Sequence, residues 1–189
     1  MGEEGPPLGV PSGGHLVTAR IAFADPPYPG MSHFYKDHPD YGGEVDHVAL
    51  CRTLHEYDGW ILHTASTTLA HVLDCVREAE LADWRITAWV KPFASFKKGV
   101  TLAYAWEPVI VKAARKPVVT GRTVMRDWCA ENITMKRGLV GAKPERLCHW
   151  LFECVGAEPT DELVDMFPGS GAVTRAWHTW QQQLHWSAS

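Results

Sequence analysis

Residues 21–28 read Ile-Ala-Phe-Ala-Asp-Pro-Pro-Tyr, an apolar run that ends on a carboxylate and two prolines. Proline has no N–H to give to a sheet ladder, so a strand built on Ile21–Ala24 has to stop at Asp25. A residue that precedes proline is pushed towards extended conformations, and the chain therefore leaves the sheet along a stiff path. Asp25 is held at the carboxyl end of a core strand, where open α/β sheets receive their ligands.

The rest of the chain supplies the partners of such a strand. Val45, Val48, Ala49 and Leu54 lie at helical spacing within 44–57, and Asp58-Gly59 closes that helix. Residues 59–66 read as a short apolar strand, and 67–81 as a helix with Leu69, Val72, Leu73 and Val76 inward. Two strands follow at 84–93 and 103–114, then an irregular or target-recognition segment at 116–142, and a helix at 144–155. A final strand, glycine-rich turn and helix begin at 161. This order predicts a mostly parallel sheet with an antiparallel strand near one edge and helices on both faces, in one domain over 15–189. Residues 1–14, acidic and rich in Gly and Pro, are expected to be a disordered leader.

The net charge of −4 hides a division. Residues 85–137 hold 11 Lys and Arg against three Asp and Glu, a balance of +8, while the remainder stands at −12. Trp89, Phe93, Phe96, Tyr104, Trp106 and Trp128 are interleaved with those cations, as a surface for a polyanion with exposed bases requires. Nucleic acid is the expected partner and a membrane is not, since no stretch reads as a membrane span or signal peptide. Cys51, Cys75, Cys129, Cys148 and Cys154 are odd in number and form no CxxC pair, which favours a reducing, cytoplasmic setting. His47, Cys51 and His55 share a helical stripe, but an i to i+8 reach is too long for one ion, and no metal site is expected.

A second motif, Asp165-Met-Phe-Pro-Gly-Ser-Gly171, follows an apolar strand and opens a helix. Its glycines let a ligand approach the backbone closely. It does not continue as GxGxxG, which counts against a nicotinamide or flavin dinucleotide. Together the two motifs resemble those of the amino-methyltransferases that use S-adenosylmethionine, which carry a DPPY catalytic motif and an FxGxG cofactor motif. Here these are Asp25-Pro26-Pro27-Tyr28 and Phe167-Pro168-Gly169-Ser170-Gly171, in the order of the circularly permuted subgroup. The likeness runs from about Leu16 to Gln183 and extends to the messenger-RNA adenosine methyltransferases. It implies a Rossmann-like methyltransferase fold, N6-adenine methylation of DNA (RNA adenosine or cytosine N4 as variants), and a possible dimer or partner methyltransferase subunit.

The resemblance also distributes roles. Asp25, Lys143 of the Gly141–Leu147 element, Asp165, Phe167, Gly169, Ser170 and Gly171 are expected around the cofactor. An amide among Gln181, Gln182 and Gln183, with Gln182 preferred, would take the ribose, a place that many relatives give to a carboxylate. His33, Tyr35, Trp89, Lys91, Lys97 and Lys98 are the expected substrate contacts. The chemistry fits these residue types. An exocyclic amine is a poor nucleophile because its lone pair is delocalised into the ring. Asp25 and the Pro26 carbonyl can accept its two N–H groups and aim the lone pair, Pro27 stiffens the turn, and Tyr28 can stack on a flipped base. A catalytically weak methyltransferase fold that binds nucleic acid or regulates a partner is the alternative.

Overall fold

The computed structural model describes residues 18–36, 42–93, 99–115, 124–134 and 142–187. Among these residues six strands form one sheet: β1 (Arg20–Ala24), β2 (Gly59–His63), β3 (Trp84–Val90), β4 (Trp106–Lys112), β5 (Trp128–Ala130) and β6 (Glu162–Asp165). Their spatial order is β5-β3-β4-β2-β1-β6. β4 runs antiparallel to both of its neighbours, and the other pairs are parallel. The predicted antiparallel strand is thus third from one edge, and the architecture is a Rossmann-like α/β fold. Among the described residues the α-helices are α1 (His47–Thr53), α2 (Leu69–Glu78), α3 (Glu145–Cys154) and α4 (Ala172–Ser187). None of the helices described is long and apolar enough to cross a membrane.

Alternation along each strand sends side chains to two separate cores. Ile21, Phe23, Ile61, Val109 and Val111 pack with Leu147, Leu151 and Phe152 of α3 and Trp177 and Trp180 of α4. On the other face Ala22, Ala24, Trp60, Leu62 and Ile110 meet Leu50 and Cys51 of α1 and Val72 and Val76 of α2. β1 lies between β2 and β6, buried on both faces, which explains its unbroken apolar run. Asp46 caps α1 by accepting the Ala49 N–H at 2.9 Å. Gly59 opens β2 because a Cβ there would stand 2.7 Å from the Ala114 nitrogen.

The predicted elements are found with shorter ends, and the helix expected over 44–57 is a seven-residue α1 followed by a 3-10 turn at Leu54–Glu56. The irregular segment 116–142 contributes β5, which the sequence reading did not contain. The expected leader, 1–14, lies outside the described residues.

Candidate functional site at the carboxyl ends of the strands

The parallel register brings the two motifs together. Phe23 of β1 pairs with Asp165 of β6, and the Met166 N–H donates to the Phe23 carbonyl at 2.9 Å. Asp25 and Asp165 therefore leave neighbouring strands at one end of the sheet and on one face. Lys143, which immediately precedes Pro144 and α3, reaches Asp25 Oδ1 with its Nζ at 2.9 Å and Glu107 Oε2 at 3.9 Å. Glu107 also pairs with Lys91 and accepts the Tyr28 hydroxyl at 3.0 Å. Asp25, Lys143, Glu107, Lys91 and Tyr28 form one polar network over the apolar core.

Trp89 supports this network from beneath. It is 3% exposed, its Nε1 donates to the Glu131 carbonyl at 2.7 Å, and the Lys91 and Lys143 ammonium groups lie 4.6 and 5.5 Å from its ring centroid. Of the expected substrate contacts on β3, Trp89 is closed off from a substrate, whereas Lys91 belongs to the network of Asp25 and Tyr28. Strand alternation puts both on the face that α3 covers, where Trp89 is closed off and Lys91, 11% exposed, is held by Glu107.

Burial sets the electrostatics. It raises the Asp25 pKa above the ordinary aspartate range, against the pull of the Lys143 ammonium. Burial works against the Lys143 charge as well, but Asp25 and Glu107 outweigh it and keep Lys143 protonated beyond its usual range. Asp165 is also raised by burial, against the Phe167 backbone N–H and the Thr174 hydroxyl, which it accepts at 3.3 Å, and Asp25 adds to the rise. Its Oδ1 is buried without a hydrogen-bond partner. His63 ends β2 at 1% exposure, with its ring centroid 5.2 Å from that of Phe23 and both ring nitrogens unpartnered. Burial and then the two lysine charges hold His63 neutral, its pKa well below the usual value.

The glycine loop closes the same end. Gly169 and Gly171 have φ of +44° and +69°, which L side chains rarely adopt. Gly171 donates to the Pro168 carbonyl at 2.6 Å, and Arg175 holds the Ser170 carbonyl at 2.8 Å. An acceptor without a donor on Asp165, beside glycines that leave the backbone open, suits a ligand that brings its own N–H or ammonium group.

The remaining expectations divide. His33 sits on the 3-10 turn Ser32–Tyr35 after the DPPY segment, with Nδ1 3.0 Å from the Gly30 carbonyl. Tyr35 is placed through its backbone alone, and Lys97 and Lys98 lie outside the described residues. Gln182 is not brought to the site. It lies ten residues into α4 from Ala172, about 15 Å along the axis, farther than its side chain can reach back. Gln181 instead donates to the Pro159 carbonyl at 2.8 Å. Among the described residues no three His, Cys, Asp or Glu side chains group as metal ligands.

Glu107 and His63 were missed as site residues. Their signal was present, since each is a polar residue at an inward position of an otherwise apolar strand.

No protein-family model matches the chain, and a search of curated proteins finds no match. Among solved structures, the chain is similar to M1.HpyAVI in complex with SAM, with a TM-score of 0.57 and 14% identity over 87% of this chain and 79% of that one. A second M1.HpyAVI structure gives a TM-score of 0.56 and 13% identity over 87% and 77%. At this identity the likeness establishes the Rossmann-like architecture that places both motifs at one end of the sheet.

Proposed function

We propose that the protein is an S-adenosylmethionine-dependent methyltransferase that acts on the exocyclic amine of adenine in DNA. One observation carries the reading. Asp25 of the DPPY turn and Asp165 with the Phe167–Gly171 loop lie on neighbouring parallel strands although about 140 residues separate them. The similarity to a structure solved with SAM supports the choice of cofactor.

Asp165, Gly169, Ser170 and Gly171 would hold the cofactor, with the unpartnered Asp165 Oδ1 as acceptor for its amine. The cofactor supplies a methyl group activated by a sulfonium. The chain's own part is to prepare the nucleophile. Asp25 and the Pro26 carbonyl accept the amine N–H groups and orient its lone pair, and burial of Asp25 strengthens those bonds. Tyr28, fixed through its hydroxyl on Glu107, offers a ring for a base turned out of its stack. Lys143 competes for Asp25, and its second carboxylate, Glu107, gives that charge a resting place when the amine binds.

One observation favours a second reading, a catalytically weak fold that binds nucleic acid beside a partner subunit. Gln181 is taken up by the Pro159 carbonyl and Gln182 lies about 15 Å along α4 from Ala172, so affinity for the cofactor ribose is the weak point. Labelled methyl transfer to single- and double-stranded DNA and to RNA tests the first reading, paired with a cofactor-induced thermal shift. The expected result is adenine labelling on DNA and a shift that Gly171→Val abolishes. Background labelling on every substrate despite cofactor binding supports the second reading, and labelling of RNA or of cytosine corrects the substrate.

A further inference from the structure

Two charged groups flank the glycine loop, and each is left with bonding capacity of its own sign. Asp165 ends β6 just before the loop; the Thr174 hydroxyl donates to its Oδ2, while its Oδ1 is buried without a partner. Arg175 follows Thr174 in the first turn of α4. Its Nη1 donates to the Ser170 carbonyl at 2.8 Å and stands 3.0 Å from where a Cβ on Gly171 would be, so the guanidinium lies against the loop itself. That bond leaves the edge formed by Nε and Nη2, a fork that matches the two oxygens of a carboxylate. Arg175 is exposed, and among the described residues no carboxylate pairs with it.

This is an unfavourable place for a lone cation. Aligned peptide dipoles make the amino end of a helix positive, and that end favours an anion. The first turn of α4 holds no acidic residue to supply one. The neighbouring lysines are already spent, for Lys143 and Lys91 face Asp25 and Glu107, two cations against two carboxylates. Asp165 and Arg175 add one charge of each sign, and the two are not paired with each other. A ligand that satisfies both carries an ammonium and a carboxylate side by side. A phosphate suits the place less well, because its charge would also meet that of Asp165.

We infer that Arg175 binds a carboxylate, and that Asp165 and Arg175 together take the α-amino acid head of the ligand held at the glycine loop. Because the Ser170 carbonyl already fixes the guanidinium, little side-chain freedom is lost when the carboxylate arrives. The pair recognises the zwitterion itself. That the group attached to it is adenosyl rests on the methyltransferase reading.

The test is isothermal titration calorimetry of the full chain with S-adenosylmethionine, its decarboxylated analogue and L-methionine. Wild type should bind S-adenosylmethionine at least about tenfold more tightly than the analogue, the usual worth of a charge-assisted contact. Arg175→Ala should erase that difference by weakening S-adenosylmethionine alone, and Arg175→Lys should restore part of it. If Arg175→Ala does not fold by circular dichroism, Arg175→Gln takes its place. The analogue controls for the loop: should Arg175 only shape it through Ser170, both compounds lose affinity together and the inference is overturned. It is also overturned if neither loses affinity, or if Arg175→Ala weakens a single-stranded oligonucleotide and spares S-adenosylmethionine, which would give the cation to a phosphate. Wild-type binding of both adenosyl compounds with equal affinity overturns it too, and leaves the methyltransferase reading standing. A wild type that binds L-methionine, by a contact that Arg175→Ala removes, but neither adenosyl compound does the reverse. Binding of none of the three defeats both.

Discussion

Buried acid–cation pairs sit at opposite ends of β1 and β6, and they are completed in different ways. At the amino end, Asp161 accepts the Ala19 N–H and the Glu158 N–H, each at 2.8 Å, and both terminal nitrogens of Arg115. Burial alone would raise its pKa, but these donors overcome it and hold the carboxyl below the ordinary range. At the carboxyl end Asp25 and Asp165 remain above that range, with an oxygen of Asp165 unpartnered and the neutral His63 close by. The saturated pair ties the chain together, and the unsaturated group keeps bonding capacity for a ligand. Burial is common to both ends, so burial does not separate structure from function here. The number of donors does.

The largest effect that can break this comparison is on rate. Asp25→Ala should lower methyl transfer per folded molecule by about 10²–10³, as loss of a preorganised transition-state contact does, and should also lower the melting temperature, because the buried Lys143 ammonium keeps only Glu107. A variant with near wild-type rate would remove Asp25 from the reaction. At the other end, Asp161→Ala should cost about 3 kcal/mol, since it takes the buried carboxylate from Arg115, which keeps only the Gly156 carbonyl and the more distant Glu158 among its named partners, and leaves two backbone donors without their acceptor. Urea unfolding measures this, and methyl transfer per folded molecule should be unchanged. The pH dependence carries a sign. A carboxyl lowered on folding contributes stability above the ordinary aspartate range and loses it as pH falls through the lowered value. Asp161→Ala should therefore flatten the acid limb of the stability profile, and an unaltered limb would assign acid sensitivity elsewhere.

The smallest effect has the opposite sign. Asp165 is raised on folding, so its charge is a cost that is fully present above the raised value and absent below the ordinary range. Asp165→Asn should raise the melting temperature slightly at neutral pH, with the gain fading under acid, and should lose the cofactor-induced shift. A lower melting temperature at neutral pH would mean that the Phe167 and Thr174 bonds outweigh the burial cost.

The legibility of the sequence follows the same physics. β1, β2 and β4 were readable because long apolar runs bounded by turn residues carry their own signal. β5 was not, because Trp128–Ala130 is too short for any period and becomes a strand by pairing with β3. Asp25, Lys143 and Asp165 were legible as motifs, and the structure joins Lys143 to Asp25 directly. Trp89 was misjudged because its alternation was visible while the face that α3 covers was not. Gln182 was chosen without sight of the length of α4, which sets it about 15 Å along the axis from Ala172. Composition marked 85–137 as basic and aromatic, but only register shows that Trp106 and Trp128 share a face that Trp89 does not.

The pairing of β1 with β6 also governs when the molecule can become itself. Ala19 and Asp161 are 142 positions apart, so β1, made first, waits for nearly all of the chain before its second edge is taken. Contacts at such separation are slow to form because the loop must close before they give anything back. During synthesis β1 can pair with β2, while its other edge, apolar on both faces, stays open to strands of other chains. Because the glycine loop follows β6, arrival of that strand both seals this edge and assembles the site, so a half-made molecule that is still able to aggregate is also one that has no activity.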